Sequence, residues 1–309
     1  MPYQSIDALL DRMRSDLVRL EQRGDARRFF HATYLRTTEA IGREIARGGF
    51  ADADWMTRWD LAFAVLYVEA LEADEAGGAV AGPWREAFGA AAARPELPPL
   101  RHVLFGLNAH INYDLPRALL EVITSAGFDD PALVARRQAD HQHVDAVLQS
   151  RVGAEDAELS AVSRVTLLDR LLRPANQAAS RRFLAEARAK VWRNAVALDR
   201  ARRENRYEES RAELERRCAA RVRDLTARGP VLLKLARRGF GVLLPDASPW
   251  TLRWRRDRHG APFGATAGPR DRDRRHPPGG AGGPDGRDPG PDRRRPAGAG
   301  GRHRRPAGG

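Results

Sequence analysis

The chain has 309 residues, of which 42% are hydrophobic, and its formal net charge is +12. Its single cysteine, Cys218, excludes an intrachain disulfide framework and a zinc site built from cysteines. Charged residues interrupt the apolar positions at the amino terminus, and no stretch approaches the roughly 20 apolar residues of a membrane span. We therefore expect a cytoplasmic protein without a signal peptide.

Helical periodicity recurs from Ser5 to about Leu244, and strand patterns are almost absent. Three amphipathic helices are predicted first, within residues 5–24, 25–49 and 52–75. Short Gly- or Asp-containing turns join them, which favours antiparallel packing. The sequence thus predicts an all-α, bundle-like domain.

Shorter helical segments follow, and a proline interrupts one of them. They are predicted at residues 83–92, from about 100 to 127, from 131 to about 150, and at 155–172. Pro116 cannot donate a hydrogen bond to the carbonyl of Asn112, so we expect a kink or a restart there. Asp114 is placed to cap the restarted helix.

The carboxyl-terminal part of the domain is predicted to be one long helix in preference to two, because no proline or glycine interrupts residues 175–227. Its Arg and Glu residues recur at spacings typical of an exposed helix. The apolar and basic segment at residues 229–245 offers a surface that could contact an anionic membrane.

The character of the chain changes after about residue 250. From Arg255 onward there are 14 arginines and 6 aspartates, which account for +8 of the net charge and leave +4 for the preceding residues. We expect residues 251–309 to be a disordered, basic, low-complexity tail. Three interpretations stay open: an arm for nucleic acid or anionic lipid, an inert extension, or translation of a shifted reading frame.

The sequence "FGLNAHINYDLP", residues 105–116, is the most informative motif. On a helical projection Asn108, His110, Asn112 and Asp114 edge an apolar stripe. His110 and Asp114 are four residues apart and therefore neighbours, and Asn108 and Asn112 form a second pair. The motif predicts polar groups at the margin of the core.

A second His-x-x-x-Asp pair, His141 and Asp145, falls on the inward face of the helix predicted from residue 131. If the two helices pack together, His110, Asp114, His141 and Asp145 could bind zinc, iron or manganese, and an open coordination position would activate water. The alternative is structural: each aspartate orients its own histidine, and the buried groups bond to one another.

Other polar residues could line the same pocket. Asp60 could be a buried carboxylate there, or a boundary residue paired with an arginine, and Tyr34 could belong to an interhelical seam. We expect His31 and His102 at surface or boundary positions, and His143 toward solvent.

These motifs resemble a mostly bacterial family, the domain of unknown function numbered 5995, over about residues 5–245. The resemblance is carried by "GLNAHINYDLPRAL", "FFHATYLRTTEAI", "DHQHVDAVL" and "VWRNAVAL". It implies a helical fold and supplies neither an activity nor a ligand. The candidate site residues are therefore inferred from their spacing and chemistry, and not from the family.

Two functions are compatible with the sequence. The first is a metal-dependent hydrolase that acts on a small molecule at the His/Asp/Asn pocket. The second is a helical structural or interaction protein whose polar seam orders the core. Binding to nucleic acid or to an anionic membrane is expected only through the tail or residues 229–245.

Overall fold

The computed structural model describes residues 2–162, 186–227, 229, 231–245 and 247. Within these ranges the regular secondary structure is helical and no strand occurs, which confirms the predicted all-α class. The proposed domain boundary near residue 250 and the whole tail lie outside the described residues, and so both stay predictions.

The helices follow the chain in the order expected from the periodicity. Residues 2–162 form α1 (Ile6–Gln22), α2 (Arg28–Ala46), α3 (Ala53–Glu75), α4 (Gly82–Ala93), α5 (Pro99–Ala109), a π-helical turn (His110–Asp114), α6 (Leu115–Val122), α7 (Ser125–Phe128) and α8 (Pro131–Val162). Residues 186–203 are helical and are called α9 here, and α10 (Tyr207–Thr226) and α11 (Val231–Arg238) follow.

Local signals define several helix ends. Ser5 caps α1, its hydroxyl accepting a hydrogen bond from the Ala8 N–H at 3.2 Å. Asp52 caps α3 in the same way, accepting from the Trp55 N–H at 2.9 Å. Gly48 follows α2 with φ of +73°, the left-handed conformation that ends helices. The three helices thus begin and end within the ranges predicted for them.

The predicted long helix is wrong, because the chain breaks between α9 and α10. Asn205 adopts φ of +57°, and the Arg206 N–H donates to the carbonyl of Ala201 at 2.8 Å. This is the hydrogen-bonding pattern of a helix end, in which asparagine can replace the usual glycine. A helix can therefore end where the sequence contains neither glycine nor proline.

Two further boundaries differ from the prediction. The helix expected to reach Gly127 ends at Val122, because Ile123 is extended (φ −120°) and Thr124 caps the four-residue helix α7. In contrast, α8 continues to Val162, past the predicted end near Ser150. The rest of the helix expected at 155–172 lies outside the described residues.

An aromatic column on α3 forms the centre of the core. Trp55, Trp59, Phe63 and Tyr67 are spaced four residues apart and are each at most 7% exposed. Because α3 packs against α1, α2, α4, α6 and the π-helical turn, this column faces the polar motif.

Most of the described apolar side chains in residues 229–245, the segment expected to offer a membrane surface, are buried. Its buried apolar side chains belong to Val231, Leu235, Phe240, Val242 and Leu244. They pack into the core, so a membrane could reach them only if the segment left its place. Among the described residues, no helix combines the length and the apolarity that crossing a bilayer requires.

Candidate functional site

The polar motif folds into the π-helical turn. The Leu115 N–H donates to the carbonyl of His110, five residues earlier. Pro116, which lacks an N–H, follows at the start of α6. The predicted interruption at this proline is thus confirmed, and its form is a widened turn, a feature that is frequent at functional sites. All five residues of the turn are buried.

Asp114 is held by three side chains inside this turn. Its Oδ2 lies 3.0 Å from His110 Nδ1 and accepts a hydrogen bond from Trp84 Nε1 at 2.8 Å. Its Oδ1 accepts from the Arg117 guanidinium at 3.3 Å. The side chain makes no capping hydrogen bond to α6, so the predicted cap is wrong. The buried carboxylate instead orients His110.

The contact with Asp114 decides the protonation pattern of His110. A carboxylate only accepts hydrogen bonds, so Nδ1 carries the proton and Nε2 keeps its lone pair. Nε2 is buried and has no hydrogen-bond partner within the described residues. Burial lowers the pKa of His110, although Asp114 acts in the opposite direction. The imidazole is therefore a neutral acceptor at neutral pH.

Aromatic rings surround this imidazole. Phe63 stacks on it with ring centroids 3.6 Å apart and an interplanar angle of 6°. Tyr34 approaches it edge to face at 4.5 Å. Three more rings lie within 6.1 Å of it, those of Phe30, Tyr67 and Trp84. Such an apolar environment strengthens any electrostatic interaction made at Nε2.

Tyr34, whose ring meets His110, and Asp60 are two further buried polar residues. Asp60 Oδ2 has no hydrogen-bond partner in the described structure, and the Tyr34 hydroxyl has the Thr38 side chain near it. Burial raises the pKa of Asp60 to about 7. Burial also raises the pKa of Tyr34, and the charge of Asp60 adds to this, as expected for neighbouring groups. Asp60 is 3% exposed, so its predicted position at the boundary of the core is wrong.

His141 has the opposite protonation pattern. Trp192 Nε1–H donates to its Nδ1 at 2.9 Å, so Nδ1 supplies the lone pair and Nε2 carries the proton. Nε2 is buried and finds no acceptor among the described residues. Burial lowers the pKa of His141 well below its usual value, and the positive charge of Arg188 adds to this. In this arrangement His141 has no free lone pair for a metal ion.

Two rings lie between the histidines. Phe63 stacks on His110, Trp59 stacks on Phe63 at 5.7 Å, and Trp59 meets the edge of His141 at 5.5 Å. The side chain of Asp145 lies outside the described structure, which leaves the predicted four-residue metal set untested. Among the side chains that are described, no group of three or more His, Cys, Asp or Glu residues could hold a metal ion.

The two asparagines of the motif bind backbone. Asn112 Nδ2 donates to the carbonyl of Phe240 at 3.1 Å, and its Oδ1 accepts from the Val242 N–H at 2.9 Å. Asn108 Nδ2 also donates to Phe240, at 3.1 Å. Both amides thus hold the segment after α11, while Asn108 Oδ1 is buried without a partner among the described residues. Their predicted place in a pocket stays a prediction.

Two tryptophans and one aspartate that complete the site were missed by the sequence analysis. Trp84 fixes Asp114 and Trp192 fixes His141, and the available signal was that a buried indole N–H needs an acceptor. Asp140 accepts from the Ala51 and Asp52 N–H groups at 2.7 and 3.1 Å, which anchors α8 beside the start of α3. No local sequence pattern predicts such a long-range contact.

The remaining histidines are partly as expected. His31, predicted near the surface, is fully buried: its Nε2 donates to the Met13 carbonyl and its Nδ1 accepts from the Tyr67 hydroxyl. His102, with the same prediction, is 4% exposed. His143 has a side chain 40% exposed that contacts Glu44, in agreement with its predicted orientation toward solvent. Burial lowers the pKa of His31 and of His102.

Comparison with known proteins places the chain in a family. Residues 6–228 match the family of unknown function DUF5995, which covers most of the chain and includes His110, Asp114 and His141. The comparisons with curated proteins and with solved structures gave no match. The chain belongs to the family DUF5995.

Proposed function

We propose that this protein is an enzyme of the hydrolytic type, with a buried acid–base centre at His110. The observation that supports the proposal is the lone pair of His110 Nε2, which Asp114 fixes and which has no partner among the described residues in its aromatic environment. A buried unsatisfied polar group costs about 1–3 kcal/mol, so the lone pair at His110 Nε2 calls for a bound water or ligand.

The neighbouring groups suggest the division of roles. His110 is the general base that takes a proton from water, since it is neutral at neutral pH. Asp60, with a pKa of about 7, exists in both protonation states there and can serve as the general acid. The Tyr34 hydroxyl can donate to a developing oxyanion. A small, mainly apolar substrate with one hydrolysable group suits the aromatic walls.

Metal-assisted hydrolysis is a variant of the same proposal. The free lone pair at His110 Nε2 and the Asp60 carboxylate are donors that suit zinc, iron or manganese, and Asp145 stays a candidate ligand. Elemental analysis of the purified chain distinguishes the variants. Stoichiometric metal that His110→Gln removes supports metal activation, whereas substoichiometric metal unchanged in this variant supports activation by His110 alone.

The second candidate is a structural seam in a protein without catalytic activity. It is favoured by the complete set of partners around Asp114 and by the stacking of His110 on Phe63. In this case His110 contributes only packing and one charge-assisted hydrogen bond, and the unsatisfied atoms hold water.

The test compares two histidine variants on a panel of activated esters, phosphoesters and amides. His110→Gln should lower any hydrolysis by the full chain at least 100-fold while the circular dichroism spectrum is retained. His143→Gln is the matched control, because His143 is partly exposed and its contacts with Glu44 and Phe50 lie outside the proposed site. Equal rates for wild type and His110→Gln, with a lower unfolding free energy for the variant, would favour the structural seam.

A further inference from the structure

The residues after α11 form an extended segment that other elements hold by its backbone. We call residues 240–244 the strap. Asn112 binds the Phe240 carbonyl at 3.1 Å and the Val242 N–H at 2.9 Å. Asn194, on α9, binds the Val242 carbonyl and the Leu244 N–H, both at 2.9 Å. Both asparagines are fully buried.

This spacing reproduces the edge of a parallel β-sheet. In a parallel pair, one residue donates to a carbonyl of its neighbour and accepts from the N–H two residues further on. A carboxamide carries the same donor and acceptor as a peptide group. Asn112 and Asn194 therefore take the place of two successive bonded residues of a neighbouring strand. They hydrogen-bond to the backbone along one edge of the strap, so these contacts do not depend on the identity of its side chains.

Side-chain selectivity comes from alternation along the strap. Phe240, Val242 and Leu244 are 2%, 6% and 4% exposed, as expected for one face of an extended chain. At Gly241 a Cβ atom would lie 2.9 Å from the Cα of Ala187, so this position accepts glycine alone without movement of α9. Glu186 Oε2 accepts from the N–H groups of Phe240 and Gly241 at 3.1 and 3.0 Å.

The connection between the strap and the preceding helix suits an exchange of straps between two copies of the chain. It contains no regular secondary structure of its own in the described residues, and two glycines with positive φ, Gly229 (+116°) and Gly239 (+72°), flank α11 before it. The asparagines that hold it lie within the matched residues 6–228, whereas the strap lies beyond them. The groove and its occupant therefore come from different parts of the chain.

We infer that the groove between the π-helical turn and α9 is a recognition site for an extended peptide with the pattern apolar–Gly–apolar–any residue–apolar. The chain fills it with its own strap, and the strap of a second copy can take the same place. Backbone hydrogen bonds supply affinity, and the alternating apolar positions and the glycine supply specificity. A chain's own strap is tethered to the groove and competes with any added peptide at a high effective concentration. Binding of an added peptide can therefore be measured once a substitution weakens the chain's own strap.

The experiment uses the full chain carrying Gly241→Val and a fluorescent peptide with the sequence of residues 238–247. We expect saturable binding measured by anisotropy, at least tenfold tighter than to the wild-type chain, whose own strap competes. A peptide carrying Gly241→Val is the matched control and should bind at least tenfold more weakly. Adding Asn194→Ala to the protein should also weaken binding at least tenfold.

Two further measurements test the recognition site if the Gly241→Val chain folds poorly. The milder Gly241→Ala chain should gain thermal stability from the wild-type peptide and none from the control peptide. The wild-type chain, refolded at high concentration, should give a dimer in size-exclusion chromatography with light scattering that Gly241→Ala reduces. Equal binding of the two peptides would overturn the recognition site, and a monomer at every concentration would overturn exchange between copies.

Discussion

His110 and His141 show how a single hydrogen bond decides the chemistry of a histidine. Each belongs to a His-x-x-x-Asp pair on a helix and each is buried. Asp114 accepts a hydrogen bond from Nδ1 of His110 and so leaves a lone pair at its Nε2, whereas Trp192 donates to Nδ1 of His141 and so leaves the proton on its Nε2. Two residues that are equivalent in sequence are thus an acceptor and a donor.

The buried carboxyl group of Asp60 should make the stability of the protein depend on pH. In the folded chain the pKa of Asp60 is about 7, against 3.8 for an unperturbed aspartate. Between these pH values the folded state holds more protons than the unfolded state, so stability falls as pH rises. Asp60→Asn removes this loss. We expect the variant to gain up to about 4 kcal/mol relative to wild type between pH 4 and pH 8.

Urea unfolding followed by tryptophan fluorescence at the two pH values measures this gain. Asp54→Asn, an exposed carboxyl on the same helix, is the control and should shift the two values alike. A pH profile of Asp60→Asn that runs parallel to that of wild type would mean that Asp60 ionises normally in the folded protein.

At the scale of elements, the close approach of α5 to α2 positions the polar motif. Gly106 lies directly over the ring of Phe30, and a Cβ atom at this position would overlap the ring. The same ring contacts Tyr34 and His110, so it joins the helix that carries the motif to the rest of the site. The absence of a side chain at Gly106 allows this packing.

Gly106→Ala should therefore destabilise the protein by about 1–3 kcal/mol, through the displacement of Phe30. Gly89→Ala is the matched control within α4, since a Cβ atom there meets nothing within 4 Å. It should stabilise by about 0.5–1 kcal/mol, because alanine favours the helix. Chemical denaturation of both variants measures the two effects, and equal changes would contradict the packing argument.

At the scale of the whole molecule, charge and core are separated along the chain. The described residues bury a continuous hydrophobic core, while the residues after Trp254 carry most of the net charge and, after Phe263, no large apolar side chain. A segment of this composition has little apolar surface to contribute to a core. Stability and any binding to polyanions should therefore depend on different parts of the chain.

A chain that ends at Trp254 tests this separation. We expect its thermal midpoint to stay within about 2 °C of the full chain, since a core left intact keeps its unfolding free energy. Its retention on heparin should fall and lose its dependence on salt, because the arginines are removed. A large drop in the midpoint would show that the tail packs on the domain.

The sequence by itself determined the helical class, most of the helix starts and the interruption at Pro116. These depend on contacts within about four residues, such as the cap at Ser5 and the missing N–H of the proline. The pairing of His110 with Asp114 is local in the same way, and the spacing of the two residues predicted it.

The tertiary structure decided what the buried polar groups do. Trp84 reaches Asp114 across 30 positions, Trp192 reaches His141 across 51, and Asn112 reaches Phe240 across 128. Each of these partners is fixed by the packing of distant helices, which no local pattern encodes. Because a buried donor or acceptor takes its role from its partner, the chemistry of the site was set only when the helices packed.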